Sequence, residues 1–181
     1  NPERNYEALE IYGDAILAFS MVHYITLRFP QLMNDRGDGV STIARLKINL
    51  VSKSIFSQCA KTLGFEPFIA SDEFNLKTNL QSLLEDVFEA FIGVLLKITS
   101  LIDPASSKKG YMPTLGPCYR ILSSLLDSMD ISLKRDDLYD PKTKLKEFIE
   151  KCHLAQAVFS YSEECDSSNR IIFTTKIVIP G

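Results

Sequence analysis

The chain has 181 residues, 45% hydrophobic and 24% charged, with a formal net charge of −3 and a sequence pI near 5.5. This is ordinary globular composition; it excludes collagen-like, low-complexity and wholly disordered classes, and the length suits one domain plus a smaller module. The acidic balance argues against coating nucleic acid by bulk electrostatics, so any such binding must rest on local basic residues or on cations held at acidic groups.

From Arg4 to Phe29, Leu9, Tyr12, Ile16, Phe19 and Val22 recur at helical spacing and predict one long buried helix, ended by Pro30. Asn34 to Gly39 is turn chemistry, and Val40 to Val51 reads as an amphipathic helix with Ile43, Leu46 and Leu50 in register. Ser52 caps a third helix running to about Leu63; Gly64 sits where a C-cap belongs and Pro67 follows. A polar loop is expected through Ser71 to Lys77. Leu80 to Thr99 is apolar on nearly every side, the pattern of a helix at the centre of a bundle.

Asp103 to Pro117, rich in Pro and Gly, reads as a loop or insertion before an amphipathic helix from about Cys118 to Met129. The expected organisation is a helical domain over 1–130, a linker over 131–140 and a small module over 141–181. Pro141 opens that module at a first helical turn, with Leu145, Phe148 and Ile149 on one face. Ala157 to Ser162 and Arg170 to Ile179 alternate as strands, separated by a turn over Glu163 to Asn169, a hairpin pattern.

Cys59, Cys118, Cys152 and Cys165 are far apart, without a CxxC pair, and the chain has only two histidines, so zinc-ligand spacing is absent. The apolar run near Phe88 to Ile98 is about half the roughly 20 residues a spanning helix needs, and no charged-then-apolar leader is seen. These features predict a soluble, intracellular protein, cytoplasmic or nuclear, with reduced thiols, no membrane association and no organic cofactor.

Glu7, Glu10 and Asp14 line one stripe of the first long helix, and Asp86 and Glu89 repeat the arrangement in the most apolar helix, with Glu85 adjacent. Neither stripe has a basic residue at i+3 or i+4. Like charges at this spacing destabilise by a few tenths of a kcal/mol per pair, and partial burial raises the cost, so a compensating cation is expected. Oxygen-only donors without His or Cys suit a hard ion such as Mg²⁺, with Mn²⁺ as a substitute. Gly13 and Gly93 lie beside these acids; each costs its helix about 1 kcal/mol relative to Ala, which close backbone approach would justify. On the residues alone, solvated acidic helix faces and glycosidase-type acid/base pairs compete with a metal site.

Asn5 to Leu17 (NYEALEIYGDAIL) resembles the signature helix of the ribonuclease III family. Leu84 to Leu95 (LEDVFEAFIGVL) resembles its second acidic motif, and Val40 to Ser52 (VSTIARLKINLVS) is similar to its third shared segment. The resemblance covers roughly residues 1 to 130. The remaining α-β-β segment looks like the start of a double-stranded-RNA-binding domain, without the third strand and second helix of a complete one.

The implied fold is mainly α: a helical endonuclease domain followed by a partial RNA-binding module. The implied metal-binding and catalytic carboxylates fall on Glu10, Asp14, Asp86 and Glu89, with Glu7 as a supporting acidic position. The implied reaction is Mg²⁺-dependent hydrolysis of duplex RNA, leaving 5′-phosphate and 3′-hydroxyl ends with short 3′ overhangs. The implied assembly is a side-by-side homodimer, in which Ile11 stands where the family usually has Phe and Ala8 replaces a usually larger residue.

Arg45, Lys47, Lys53, Lys142, Lys144 and Lys146 are candidate RNA contacts, with a solvated helix face as the competing reading for each. Two rival functions are a noncatalytic double-stranded-RNA-binding or ribosome-associated protein of this fold, and a protein that sequesters or degrades short interfering duplexes.

Overall fold

The computed structural model describes residues 6–34, 37–102, 115–153, 158–165 and 171–178. The chain divides into two units, residues 1–133 and 134–181.

In the first unit, helix α1 (Glu7–Arg28) opens with Glu7 and Glu10 in its first turn, where negative charge faces the positive end of the helix dipole. It stops at Phe29 because Pro30 disfavours helical backbone in the residue before it. A single turn, α2 (Gln31–Asn34), leads to α3 (Gly39–Leu50) and α4 (Lys53–Thr62). Ser52 holds extended backbone at the start of α4, and Gly64 takes φ +74° just beyond its end, a conformation that other residues reach only with strain.

The expected loop at Ser71 to Lys77 instead contains a short helix, α5 (Glu73–Thr78). Asp72 nucleates it, its carboxylate accepting from the backbone N–H of Asn75 at 2.9 Å. Helix α6 (Leu80–Ile102) follows, three residues longer than its apolar pattern predicts. Residues 103–114 of the predicted loop lie outside the described residues; α7 (Gly116–Asp127) then carries Pro117 in its first turn.

Helix α6 is the centre of this unit. Leu84, Phe88, Ile92 and Leu96 are buried against α1, α4 and α7, with Phe56 of α4 tilted against Phe88 at 5.5 Å between ring centroids. Each such side chain contributes about 1.5–3 kcal/mol relative to exposure. At the far end of α1, the Tyr24 hydroxyl donates to Asp127 Oδ1 on α7 at 2.9 Å and Arg28 Nη1 donates to the same oxygen at 2.9 Å.

Helix α1 is long as predicted, but its inward stripe matches the predicted one only in part: Ile16 is buried and Leu9 half-buried. Gly13, Ile16, Leu17, Ser20, Met21, Tyr24 and Ile25 are buried, whereas Phe19 is 60% exposed and Tyr12 and Val22 also face outward. The reason is steric. A Cβ on Gly13 would fall 1.8 Å from the carbonyl oxygen of Glu89, and one on Gly93 would fall 2.2 Å from the carbonyl oxygen of Leu9. Helices α1 and α6 therefore cross backbone to backbone, and that contact fixes the rotation of α1 irrespective of where its largest apolar side chains lie.

In the second unit, α8 (Arg135–Leu138) lies inside the segment predicted as linker. Helix α9 (Pro141–Lys151) begins at Pro141, as expected. It is capped by Asp140, which accepts from the backbone N–H of Thr143 at 3.0 Å and from its hydroxyl at 2.6 Å. Strand β1 (Val158–Cys165) pairs antiparallel with β2 (Ile171–Val178), from Val158 opposite Val178 to Cys165 opposite Ile171. The predicted turn begins too early: Glu163 and Glu164 belong to the ladder, opposite Phe173 and Ile172. Ala157, Arg170 and Ile179 of the predicted strands lie outside the described residues. All four cysteines are free, and among the described residues no helix is long and apolar enough to cross a membrane.

The crossing predicts the response to a single methyl group. Gly13→Ala should gain about 1 kcal/mol of helix propensity, yet overpacking against a backbone carbonyl should leave the protein about 1–3 kcal/mol less stable. Equilibrium urea denaturation measures the net sign. A variant more stable than the unmutated chain would mean that the helices do not touch at Gly13.

Candidate active site

The helix crossing positions the acids. Helix α1 carries Glu7, Glu10 and Asp14 on one stripe, and α6 carries Asp86 and Glu89 one turn apart. Glu89 sits at the crossing point itself, since its own carbonyl is the group a Cβ on Gly13 would strike. It is buried, at 9% exposure; Glu10 and Asp86 are half-buried, and Glu7 and Asp14 are exposed.

The electrostatics follow from this geometry. Burial, reinforced by the charges of Asp14, Glu85, Glu10 and Asp86, pushes the Glu89 carboxyl up to about 7. Burial also raises Glu10, with further contributions from Asp86, Glu7, Glu85 and Asp14. Asp86 is raised by burial, against the opposing influence of the Lys53 charge and a hydrogen bond from Tyr6. Glu10 and Glu89 thus feel acids of both helices, whose negative charge makes these two carboxyls harder to ionise.

Among the described residues, no three His, Cys, Asp or Glu side chains already close into a cage that would hold an ion unaided. The donor set still suits Mg²⁺, which keeps several waters and binds through one or two carboxylates together with substrate phosphate. Half-buried carboxylates that raise one another's pKa are the expected protein contribution to such a site.

Sequence reasoning assigns no role to three neighbours of the acids, Tyr6, Ser82 and Glu85. Tyr6, one turn before Glu10, is linked to Asp86, and its own hydroxyl is raised by burial and by the charges of Asp86, Glu10 and Glu7. Ser82 and Glu85 on α6 both meet Lys53 of α4: Lys53 Nζ lies 3.0 Å from Ser82 Oγ and 3.3 Å from Glu85 Oε2. Tyr6 and Ser82 fall on the acid-bearing faces at helical spacing, a signal available in the sequence. The approach of Lys53 depends on how α4 docks and is not.

The remaining candidate RNA contacts are dispersed. Arg45 and Lys47 are half-buried on α3. In the second unit, the Lys142 ammonium lies 5.1 Å from the centroid of the Phe159 ring. Lys144 pairs with Asp136 at 3.3 Å, and Lys146 pairs with Glu150 at 3.8 Å.

Comparison with known proteins gives a consistent picture. The family model described as Ribonuclease III domain matches residues 7–97, which contain all four carboxylates. A ribonuclease 3-type protein of Frog virus 3 (isolate Goorha) is 42% identical over 151 residues, 83% of this chain and 39% of that protein. Another from Invertebrate iridescent virus 6 is 36% identical, over 81% of this chain and 52% of that protein. The chain therefore spans about two fifths and about half of the lengths of these two relatives. Among solved structures, the nuclease domain of ribonuclease III from Campylobacter jejuni aligns with a TM-score of 0.50 and 22% identity, covering 70% of this chain and 77% of that one. That likeness concerns the fold.

The raised Glu89 carboxyl has a consequence for stability. Its folded-state pKa, about 7, lies above its ordinary value of 4.5, so the folded protein holds a proton that the unfolded chain releases. Metal-free protein should lose stability as pH rises from about 4.5 to 7 and level off above that. Thermal melts in chelator across this range should show the decline, and Glu89→Gln should flatten it. A profile identical in the two proteins would contradict the assignment.

Proposed function

The chain belongs to the ribonuclease III family, and on that premise we propose that it is a Mg²⁺-dependent endoribonuclease hydrolysing phosphodiester bonds in double-stranded RNA. The products of this reading are 5′-phosphate and 3′-hydroxyl ends with short 3′ overhangs. The observation that carries it is the backbone crossing at Gly13 and Gly93, which holds the acid-bearing faces of α1 and α6 in one field.

In this reading Glu10, Asp14, Asp86 and Glu89 hold the metal, and Glu7 adds negative charge at the rim. A bound divalent ion supplies an activated water and stabilises charge developing on the phosphodiester. The protein's own part is to keep the four carboxylates in fixed register before the ion arrives, so that little reorganisation remains when RNA binds. Burial of Glu89, whose main chain lies at the crossing, supports this.

Duplex RNA as substrate requires positive charge outside the acid cluster. Arg45 and Lys47 on α3 are assigned to this role, and the second unit is assigned as the beginning of a double-stranded-RNA-binding module. Its lysines Lys142, Lys144 and Lys146 sit on α9, and the exposed pairs of Lys144 and Lys146 are worth little in water, so phosphates displace their partners readily. A homodimer is supported by an exposed apolar face on α1, where Ile11 is 73% and Phe19 60% exposed with Ala15 between them. The biological substrate is assigned as RNA undergoing processing or as silencing RNA undergoing degradation.

With Mg²⁺, the chain should cut a long RNA duplex, and Glu89→Ala should slow single-turnover cleavage by at least about a hundred-fold, since metal activation is worth several kcal/mol. Gel analysis of end-labelled duplexes of long and short length checks both activity and substrate range. Absence of metal-dependent cleavage by the unmutated chain would remove the enzyme reading in favour of noncatalytic binding. Phe19→Glu should convert dimers to monomers in sedimentation velocity; unchanged dimers would dismiss the α1 face as the interface.

A further inference from the structure

Lys53 is the first residue of α4, and its side chain reaches α6 rather than solvent alone. Its ammonium meets Ser82 Oγ at 3.0 Å and Glu85 Oε2 at 3.3 Å, and its charge also reaches Asp86. Glu85 is the residue preceding Asp86, and its charge acts on both Glu10 and Glu89. It is therefore, beside Glu7, a further carboxylate within the field of the four assigned as metal ligands. An unpaired carboxylate there would compete with them for a divalent ion.

We propose that Lys53 is a positioning residue of the acid site: anchored by Ser82, it pairs with Glu85 and keeps that carboxylate from acting as a competing metal ligand. This rests on the metal-dependent ribonuclease reading. The pair is only partly exposed on the Glu85 side, with 20% of that side chain accessible, so it is less screened than a fully solvated surface pair. The arrangement also accounts for a carboxylate directly beside Asp86 and one helical turn before Glu89 that is paired with a lysine.

Removing the ammonium has opposite effects on affinity and on rate. With Lys53 gone, Glu85 is unpaired, total negative charge rises and a divalent ion binds more strongly, but with a wrong ligand in its shell. A residue that merely held α4 to α6 would do the reverse, loosening the site and weakening metal binding. Methionine keeps the length, the apolar stem and the helix propensity of lysine, so Lys53→Met isolates the charge.

The test is a Mn²⁺ titration of the full chain without RNA, followed by electron paramagnetic resonance, alongside single-turnover cleavage in Mg²⁺. Lys53→Met should tighten Mn²⁺ by about three- to ten-fold, and adding Glu85→Gln should return it to the unmutated value, as expected for one charge pair near the protein surface. Cleavage by Lys53→Met should fall about ten-fold, with recovery in Lys53→Arg and in the Lys53→Met, Glu85→Gln double variant. Unchanged or weaker Mn²⁺ binding in Lys53→Met would overturn the proposal, as would a double variant no faster than Lys53→Met alone. Should the unmutated chain cleave nothing, the ribonuclease reading falls by itself, and the Mn²⁺ titration still decides the role of Lys53.

Discussion

Two glycines facing two backbone carbonyls are the constraint on which this molecule is built. Gly13 and Gly93 allow α1 and α6 to approach until a Cβ at either position would overlap the opposite main chain. Each glycine costs its helix about 1 kcal/mol, so the close approach must bring something that looser packing does not. What it brings is proximity of acid groups. Glu10 and Asp14 flank Gly13 on one helix, and Glu89 lies one turn before Gly93 on the other. A crossing at a normal side-chain separation, about 8–10 Å between axes, would draw these carboxylates apart and lessen the burial and neighbouring charge that raise Glu10 and Glu89.

The same closeness makes the site energetically awkward without a cation. Glu89 is buried among like charges and raised to about 7, and Glu10 and Asp86 are raised with it. Natural proteins retain unfavourable charge where chemistry needs it, and a cluster of half-buried carboxylates that a divalent ion would neutralise fits that rule. Hydrophobic contacts carry the stability this requires. Leu84, Phe88 and Ile92 on the inner face of α6 and Phe56 of α4 are fully buried, so packing rather than the acids holds α6, which carries Asp86 and Glu89.

Much of this was legible in the sequence, for identifiable reasons. Ser52, Gly64 and Pro141 mark helix ends through backbone preferences that operate locally, and α4 and α9 begin or end where these residues predict. The four carboxylates were legible because their spacing places them on helix faces, and because the segments around them resemble known family motifs. Two of the differences originate in tertiary packing and one in a local cap. Periodicity places Tyr12, Phe19 and Val22 inward because they are large and apolar, whereas the inward face of α1 is set by a glycine that has no side chain to count. Helix α5 escaped notice because its segment is polar; Asp72 and Asn75 form its cap without any apolar periodicity. Lys53 reaches the acid site from a separate helix, across a distance in sequence that no local pattern encodes.

On the function proposed above, the crossing of α1 and α6 gives a divalent ion its binding place among Glu10, Asp14, Asp86 and Glu89. Crystals soaked in Mn²⁺ and measured at the manganese absorption edge address it directly, because anomalous scattering locates the ion independently of activity. The account predicts an anomalous peak bounded by carboxylates from both helices, absent from crystals of Glu89→Gln. A map with no peak there, or with manganese only at surface acids away from the crossing, would contradict it.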